Sequence, residues 1–276
     1  MTIPKIPVGD ISEAIIQFFV SHMSLITKAA AATLREGISH TVTAVATIPP
    51  LLLIVLLALT VWRYCGRRVA LFCLVGLGII WNLGFWEPAL ETMILIIFSS
   101  TAAVVMGVPL GILAAENKAC YTILMPVLDC MQTMPSFVYL LPAVAFFGLG
   151  AVPAIFATII FAMPHAIRFT CFGLKGVPKE LLEAADAFGS TRLQKLIKVQ
   201  LPIAMPTIMA GINQTILMGV SMVVVAAIVG AKGLGFEVWS AIQRLNISKG
   251  IESGLCVVIL AMMVDKITHQ FTTAKQ

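Results

Sequence analysis

The fold class predicted is an all-α integral membrane bundle, and three observations predict it. The chain of 276 residues is 59% hydrophobic and only 11% charged, and its mean hydropathy of +1.01 lies outside the balance of a soluble domain. Several apolar runs approach or exceed the roughly 20 residues that a helix needs to cross the hydrocarbon core. The short alternating segments of a transmembrane barrel are missing.

Residues 1–10 are polar, with Pro4, Pro7 and Gly9, and lack the basic start and apolar core of a cleaved signal peptide. A helix is predicted from Asp10, with Asp10 and Glu13 as its capping pair. Ile11, Ile15, Phe18, Phe19 and Ile26 share one face, while Glu13, Gln17, Ser24 and Lys28 fall on others. This suits an amphipathic helix lying in the membrane interface; a soluble helix packed on the bundle fits the same pattern.

About seven transmembrane helices follow. The first, 47–64, closes on Trp62 and Tyr64, which suit the headgroup level. The second, 69–85, ends before Trp86-Glu87-Pro88. The third, 91–115, carries Gly107, Pro109 and Gly111, so its last turns are expected to bend or to pack closely on a neighbour. The stretch 120–149 is punctuated by Pro126, Pro135 and Pro142 and holds Asp129, Gln132, Thr133, Ser136 and Tyr139. Each interior proline costs a helical hydrogen bond, and polar groups in lipid are expensive unless they face a cavity or a partner. The expectation is a kinked helix lining something polar, or one whose Gln132, Thr133 and Ser136 bond to neighbouring helices. The fifth span, 153–172, has Arg168 near its end, and the sixth, 203–230, holds Asn213, Gln214, Thr215 and Ser221. A polar, flexible stretch at 231–250 leads to the last span, 251–267.

Seven crossings put the two ends on opposite sides, and the basic residues choose which. With 173–202 in the cytoplasm, twelve of the 18 Lys and Arg lie on that side, so the N-terminus is expected outside and the C-terminus in the cytoplasm. Dispersed along loops, these charges signal topology in a lipid bilayer and no nucleic-acid partner.

The six cysteines lie in or beside apolar segments without a C-x-x-C spacing and read as small buried hydrophobes. The four histidines form no H-x-x-x-H pair, so no metal site is expected. A glycine-rich phosphate loop and a nucleophile turn are both missing. A membrane-embedded enzyme therefore lacks its clustered nucleophile and base.

The longest hydrophilic connection lies between the fifth and sixth spans. Pro178 suits the first turn of a helix, Lys179–Phe188 brings Leu181, Leu182, Ala185 and Phe188 within reach of one face, and Gly189 stands where a left-handed stop belongs. Thr191 and Gln194 offer a capping box for a second short helix, apolar at Leu193, Leu196, Ile197 and Leu201 and ended by Pro202. Two short helices meeting at a glycine make a knob.

Glu183-Ala184-Ala185, then Gly189, then Val199-Gln200-Leu201-Pro202 resemble the EAA loop of ABC importer permeases, which in that family docks the ATPase subunit. Val199 stands where isoleucine is more usual. Pro126–Asp129, Gln132–Tyr139, Met205–Thr215, Ser221–Val224 and Gly233–Gly235 resemble the permeases of glycine betaine/proline betaine importers. The likeness covers residues 47–269.

That resemblance implies the type I ABC importer permease bundle. Its parts are an extracytoplasmic tail and interfacial helix at 1–46, two peripheral scaffold helices at 47–86, and a core permease domain at 87–276 with the coupling loop at 174–202. It also implies alternating access in the cytoplasmic membrane of a prokaryote. A homodimer would carry two ATP-binding subunits, which hold ATP and Mg, and a substrate-binding protein or domain would dock outside. Coupling to the ATPase is expected at Glu183, Ala184, Ala185, Phe188, Gly189, Leu201 and Pro202, with no catalytic residue and no cofactor on this chain. By location alone, Gln132, Ser136, Tyr139, Asn213 and Ser221 are candidates for the translocation path. No tight Trp/Tyr cluster of the kind that holds a quaternary ammonium is evident among them, so high-affinity selection is expected on the binding protein. Two other functions fit. An ion-coupled secondary transporter of small zwitterions has Asp129 as its obvious acidic candidate but shows no duplicated half. An ABC permease for another small amine or amino acid is the other.

Overall fold

The computed structural model describes residues 8–273. Helix α1 (Val8–Ala46) is already formed at Val8, so Asp10 lies within its first turn instead of capping it; a negative charge there still complements the helix dipole. The expected tail at 1–7, and the side chains of Ile11, Ile15, Ser24 and Ile26, lie outside the described residues. Phe18 and Phe19 are exposed and meet edge to face, and Gln17 donates to Glu13 one turn back. A 97° bend across Thr47–Pro49 turns α1 into α2 (Pro50–Cys65).

Only Gly66 separates α2 from α3 (Arg67–Asn82), and it sits at φ +86°, where a Cβ is costly. Their outer faces, with Leu51, Leu52, Leu71 and Val75, are exposed and apolar. Each helix has 16 residues, about 24 Å, less than the ~30 Å hydrocarbon core. The first and second predicted spans, 47–64 and 69–85, thus correspond to two short helices parted by Gly66. At Gly76 the backbone of α3 approaches α12 (Ile247–Thr273), leaving only 2.7 Å between an added Cβ and Ile259.

The centre of the bundle is α4 (Trp86–Glu116), α7 (Ala151–Lys175) and α10 (Leu201–Val225). Small residues decide how closely they approach. On α4, an added Cβ at Gly107 would fall 2.7 Å from Ala166 Cβ, and one at Gly111 would fall 2.6 Å from the Ile167 carbonyl oxygen. A spacing of four puts both glycines on one helical face, so the α4 and α7 backbones meet in small-xxx-small fashion. The close packing expected at the end of the third span is therefore found. On α10, Gly211 meets Phe169 and Gly219 meets Ser100 in the same way.

Between α4 and α7 the chain forms α5 (Lys118–Thr133), a tight turn at Ser136–Tyr139, and α6 (Leu140–Phe147), with a bend of 111°. This is the kink predicted within 120–149. Pro135 opens the turn, whereas Pro126 lies inside α5 without ending it. Among the described residues, four helical stretches are long and apolar enough to cross a membrane, at 86–116, 151–175, 192–229 and 247–270, and up to six if each bent pair counts once. They coincide with the third, fifth, sixth and seventh predicted spans, and the α5–α6 pair coincides with the fourth.

The stretch 231–250 is not simply flexible. It contains α11 (Leu234–Gln243), and α12 begins at Ile247, four residues before the predicted span. Tertiary contacts hold this short helix: the Leu234 N–H donates to Thr92 Oγ1 on α4 (2.8 Å), and Lys249 pairs with Glu237 at 2.5 Å. Cys65, Cys73, Cys171 and Cys256 are buried as expected, but Cys120 is half-buried and Cys130 exposed; both lie on α5, whose only fully buried side chain is Leu128.

Candidate functional site

The polar connection folds as a braced corner. Val177 is buried, and Pro178, at φ −54°, leads directly into α8 (Lys179–Ala187). Gly189 takes φ +74°, its N–H donating to the Asp186 carbonyl (2.9 Å) while the Ser190 N–H donates to the Ala185 carbonyl (3.0 Å). These are the paired bonds of a left-handed helix stop. The Gln194 N–H then donates to Thr191 Oγ1 (3.3 Å) and the Thr191 N–H to Gln194 Oε1 (2.9 Å). This capping box starts α9 (Arg192–Lys195). Lys195 Nζ reaches both Asp186 carboxylate oxygens, at 2.6 and 2.8 Å, and so ties α9 to α8.

Two expectations for this segment change. The apolar face of α8 is divided: Ala185 is buried and Leu182 half-buried, but Phe188 is 91% exposed. Phe188 is the C-cap, its N–H still donating to the Ala184 carbonyl (3.1 Å), and it falls in line with Leu181 and Ala184, which are also exposed. Glu183, Ala184 and Gly189 are exposed beside it. Nor does Pro202 end the second helix. The chain passes through a π-turn at Leu196–Gln200, in which the Leu201 N–H donates to the Leu196 carbonyl, and continues as α10 with Pro202 in its first turn. A proline lacks a donor and crowds the carbonyl four residues back, and a widened turn relieves that crowding. Knob and span therefore share one helix, 192–229, and half-buried Leu201 packs at their junction against the buried cluster of Leu174, Ala204 and Ile208.

The five path candidates do not converge. Asn213 Oδ1 accepts from Thr268 Oγ1, joining α10 to α12. Tyr139 is buried, its hydroxyl donating to the Met131 carbonyl and its ring edge-on to Phe161, so it secures the bend after α5. Ser136 is the first residue of the turn that Pro135 caps, and exposed Ser221 donates within its own helix to the Leu217 carbonyl (3.3 Å). Gln132 lines a cavity of about 440 Å³ shared with His165, Arg168, Phe169, Phe172 and Thr207. Four of these lie on α7 at i, i+3, i+4 and i+7, which is one helical face; that spacing is the signal that would have found them. Arg168 Nη2 also pairs with Asp129 Oδ1 on α5.

The bundle core, the bent α5–α6 segment and the exposed two-helix knob continuous with α10 make up a helical assembly with several stretches long and apolar enough to cross a membrane. A family model described as binding-protein-dependent transport system inner membrane component matches residues 107–271. The chain belongs to that family. It is thus a permease component of an ATP-driven transport system, an inner-membrane protein that works with a binding protein, and ATP hydrolysis resides on a separate subunit. Over 274 residues the permease is 44% identical to the glycine betaine transport system permease protein OpuAB of Bacillus subtilis, covering 99% of this chain and 97% of that one. It is 50% identical over 228 residues to the glycine betaine/carnitine transport permease protein GbuB of Listeria monocytogenes, covering 81% of each. The glycine betaine/proline betaine permease ProW of Escherichia coli is 44% identical over 216 residues, which are 78% of this chain and 61% of that one. The fold resembles a chain of the inward-facing MetNI methionine ABC transporter, with a TM-score of 0.63 at 23% identity, covering 67% of this chain and 93% of that one.

Proposed function

We propose that this permease imports glycine betaine-type compatible solutes by alternating access, as a homodimer driven by two ATPase subunits that carry ATP and Mg. A substrate-binding protein or domain delivers the solute from outside. The N-terminus lies outside and the C-terminus in the cytoplasm. Residues 1–46 form the extracytoplasmic and interfacial part, 47–86 the peripheral scaffold, and 87–276 the core permease. The solute class is supported by the names of the relatives, which are similar along nearly the whole chain. One structural observation carries the coupling: the exposed Phe188 stands on a corner whose second helix runs unbroken into α10. An apolar side chain so exposed on a polar surface fits a partner's groove, and a push on α9 is delivered to the span without a flexible joint. Glu183, Ala184, Phe188 and Gly189 form the contact, Ala185, expected there but buried in the chain, backs it from within, and Leu201 and Pro202 pass the motion on. Copurification tests this reading: wild-type permease retains an ATP-hydrolysing subunit, and Phe188→Asp releases it. Retention of the subunit by that variant contradicts the assignment.

A further inference from the structure

The cavity on α7 sets an arginine beside an aromatic wall. It sits about seven residues, or roughly 10 Å, before the end of α7 at Lys175, in the half of the bundle nearest the knob. Arg168 is its charged member, with a side chain 26% exposed. The guanidinium presents Nε and Nη2 on one edge, the fork that takes a carboxylate side-on. Asp129 Oδ1 occupies the Nη2 arm only, and Nε is buried with no hydrogen-bond partner among the described residues. A buried donor left without a partner is costly, and an arginine within a membrane span marks a pathway or a paired site. Phe169 and Phe172 contribute aromatic wall to the same cavity, and Gln132 and Thr207 contribute neutral polar groups.

We infer that this cavity is a transit site for a zwitterion, in which Arg168 takes the solute carboxylate on its Nε–Nη2 edge and Phe169 and Phe172 face the quaternary ammonium. The inference rests on the proposed importer function and names the permease residues that would meet its solute. Asp129 is the built-in competitor: it holds Arg168 when the solute is absent and is displaced from Nη2 when a carboxylate arrives. Because the resident carboxylate must be displaced, the site binds weakly, as a path that must release its cargo requires. Aromatic faces attract a desolvated quaternary ammonium, so charge on both ends of the solute is read.

The test uses the permease–ATPase complex in nanodiscs without the binding protein, and titrates glycine betaine, choline and tert-butylacetate by calorimetry at millimolar concentrations. The last two probes each lack one charge of the zwitterion. Glycine betaine is expected to bind more tightly than either. Arg168→Gln and Arg168→Lys each weaken it by about tenfold or more, the loss of a charge-assisted fork, while choline is unaffected. Asp129→Asn acts in the opposite direction and tightens glycine betaine binding several-fold, a gain that mere structural damage does not produce. Phe172→Leu removes the preference for glycine betaine over tert-butylacetate. Unchanged affinities in Arg168→Gln and Asp129→Asn overturn the site if the wild-type complex, supplied with its binding protein, imports glycine betaine. A wild-type complex that imports no betaine under any condition overturns the functional reading, and the site with it.

Discussion

Phe188 and Gly189 are neighbours with opposite reasons to be where they are. Gly189 is fixed by backbone geometry: at φ +74° any side chain costs about 1 to 2 kcal/mol. Gly189→Val should therefore unravel the end of α8 and abolish transport while leaving membrane insertion intact, as judged by uptake beside membrane-fraction blotting. Phe188 is fixed by nothing within the chain, being 91% exposed. Phe188→Ala should leave the melting temperature of the isolated permease unchanged and weaken ATPase binding by about 2 kcal/mol, the scale of an aromatic interface anchor. The glycine stop and the Thr191–Gln194 box were legible in the sequence, because each is a local rule with its own residue types. The exposure of Phe188 was not: spacing groups it with buried Ala185 three residues back as readily as with exposed Ala184 four back and Leu181 seven back, and tertiary packing decides which side is covered.

Close approach between helices makes a sharper prediction at the level of the elements. At Gly111 a Cβ would lie 2.6 Å from a backbone oxygen of α7, which cannot move without shifting the helix. At Gly211 it would lie 2.2 Å from Phe169 Cβ. Gly111→Ala and Gly211→Ala should each destabilise the bundle by about 1 to 3 kcal/mol, the usual cost of overpacking. Gly78→Ala and Gly254→Ala, with nothing within 4 Å of the added atom, should not. Thermal melting of the four variants in nanodiscs checks the contrast. The Gly107–Gly111 pair announced a close contact in the sequence, but not with which helix, since that partner lies some 60 residues away. The π-turn before Pro202 and helix α11 were hidden for a related reason. A proline normally signals an end, and here a wider turn absorbs it. A ten-residue helix has little stability of its own, and α11 is held through Thr92 and Lys249.

Across the whole molecule, hydropathy located the long central spans, and the EAA-like spacing located the knob. The cavity was missed because Gln132, His165, Arg168 and Thr207 come from three helices, and the Asp129–Arg168 pair that joins two of them spans 39 residues of chain. Orientation remains a property of the assembled protein in its membrane. A cysteine placed at Ser190 in a variant lacking Cys130 should resist a membrane-impermeant maleimide in intact cells and react in inverted vesicles; labelling from outside would reverse the topology. The measurement that bears most directly on the central claim is uptake of radiolabelled glycine betaine into proteoliposomes. These hold the permease with its ATPase subunit, ATP within and binding protein without. The account predicts accumulation that requires both partners, withstands ionophores and fails in Glu183→Ala. Accumulation by the permease alone, driven by an ion gradient and indifferent to ATP, would contradict it.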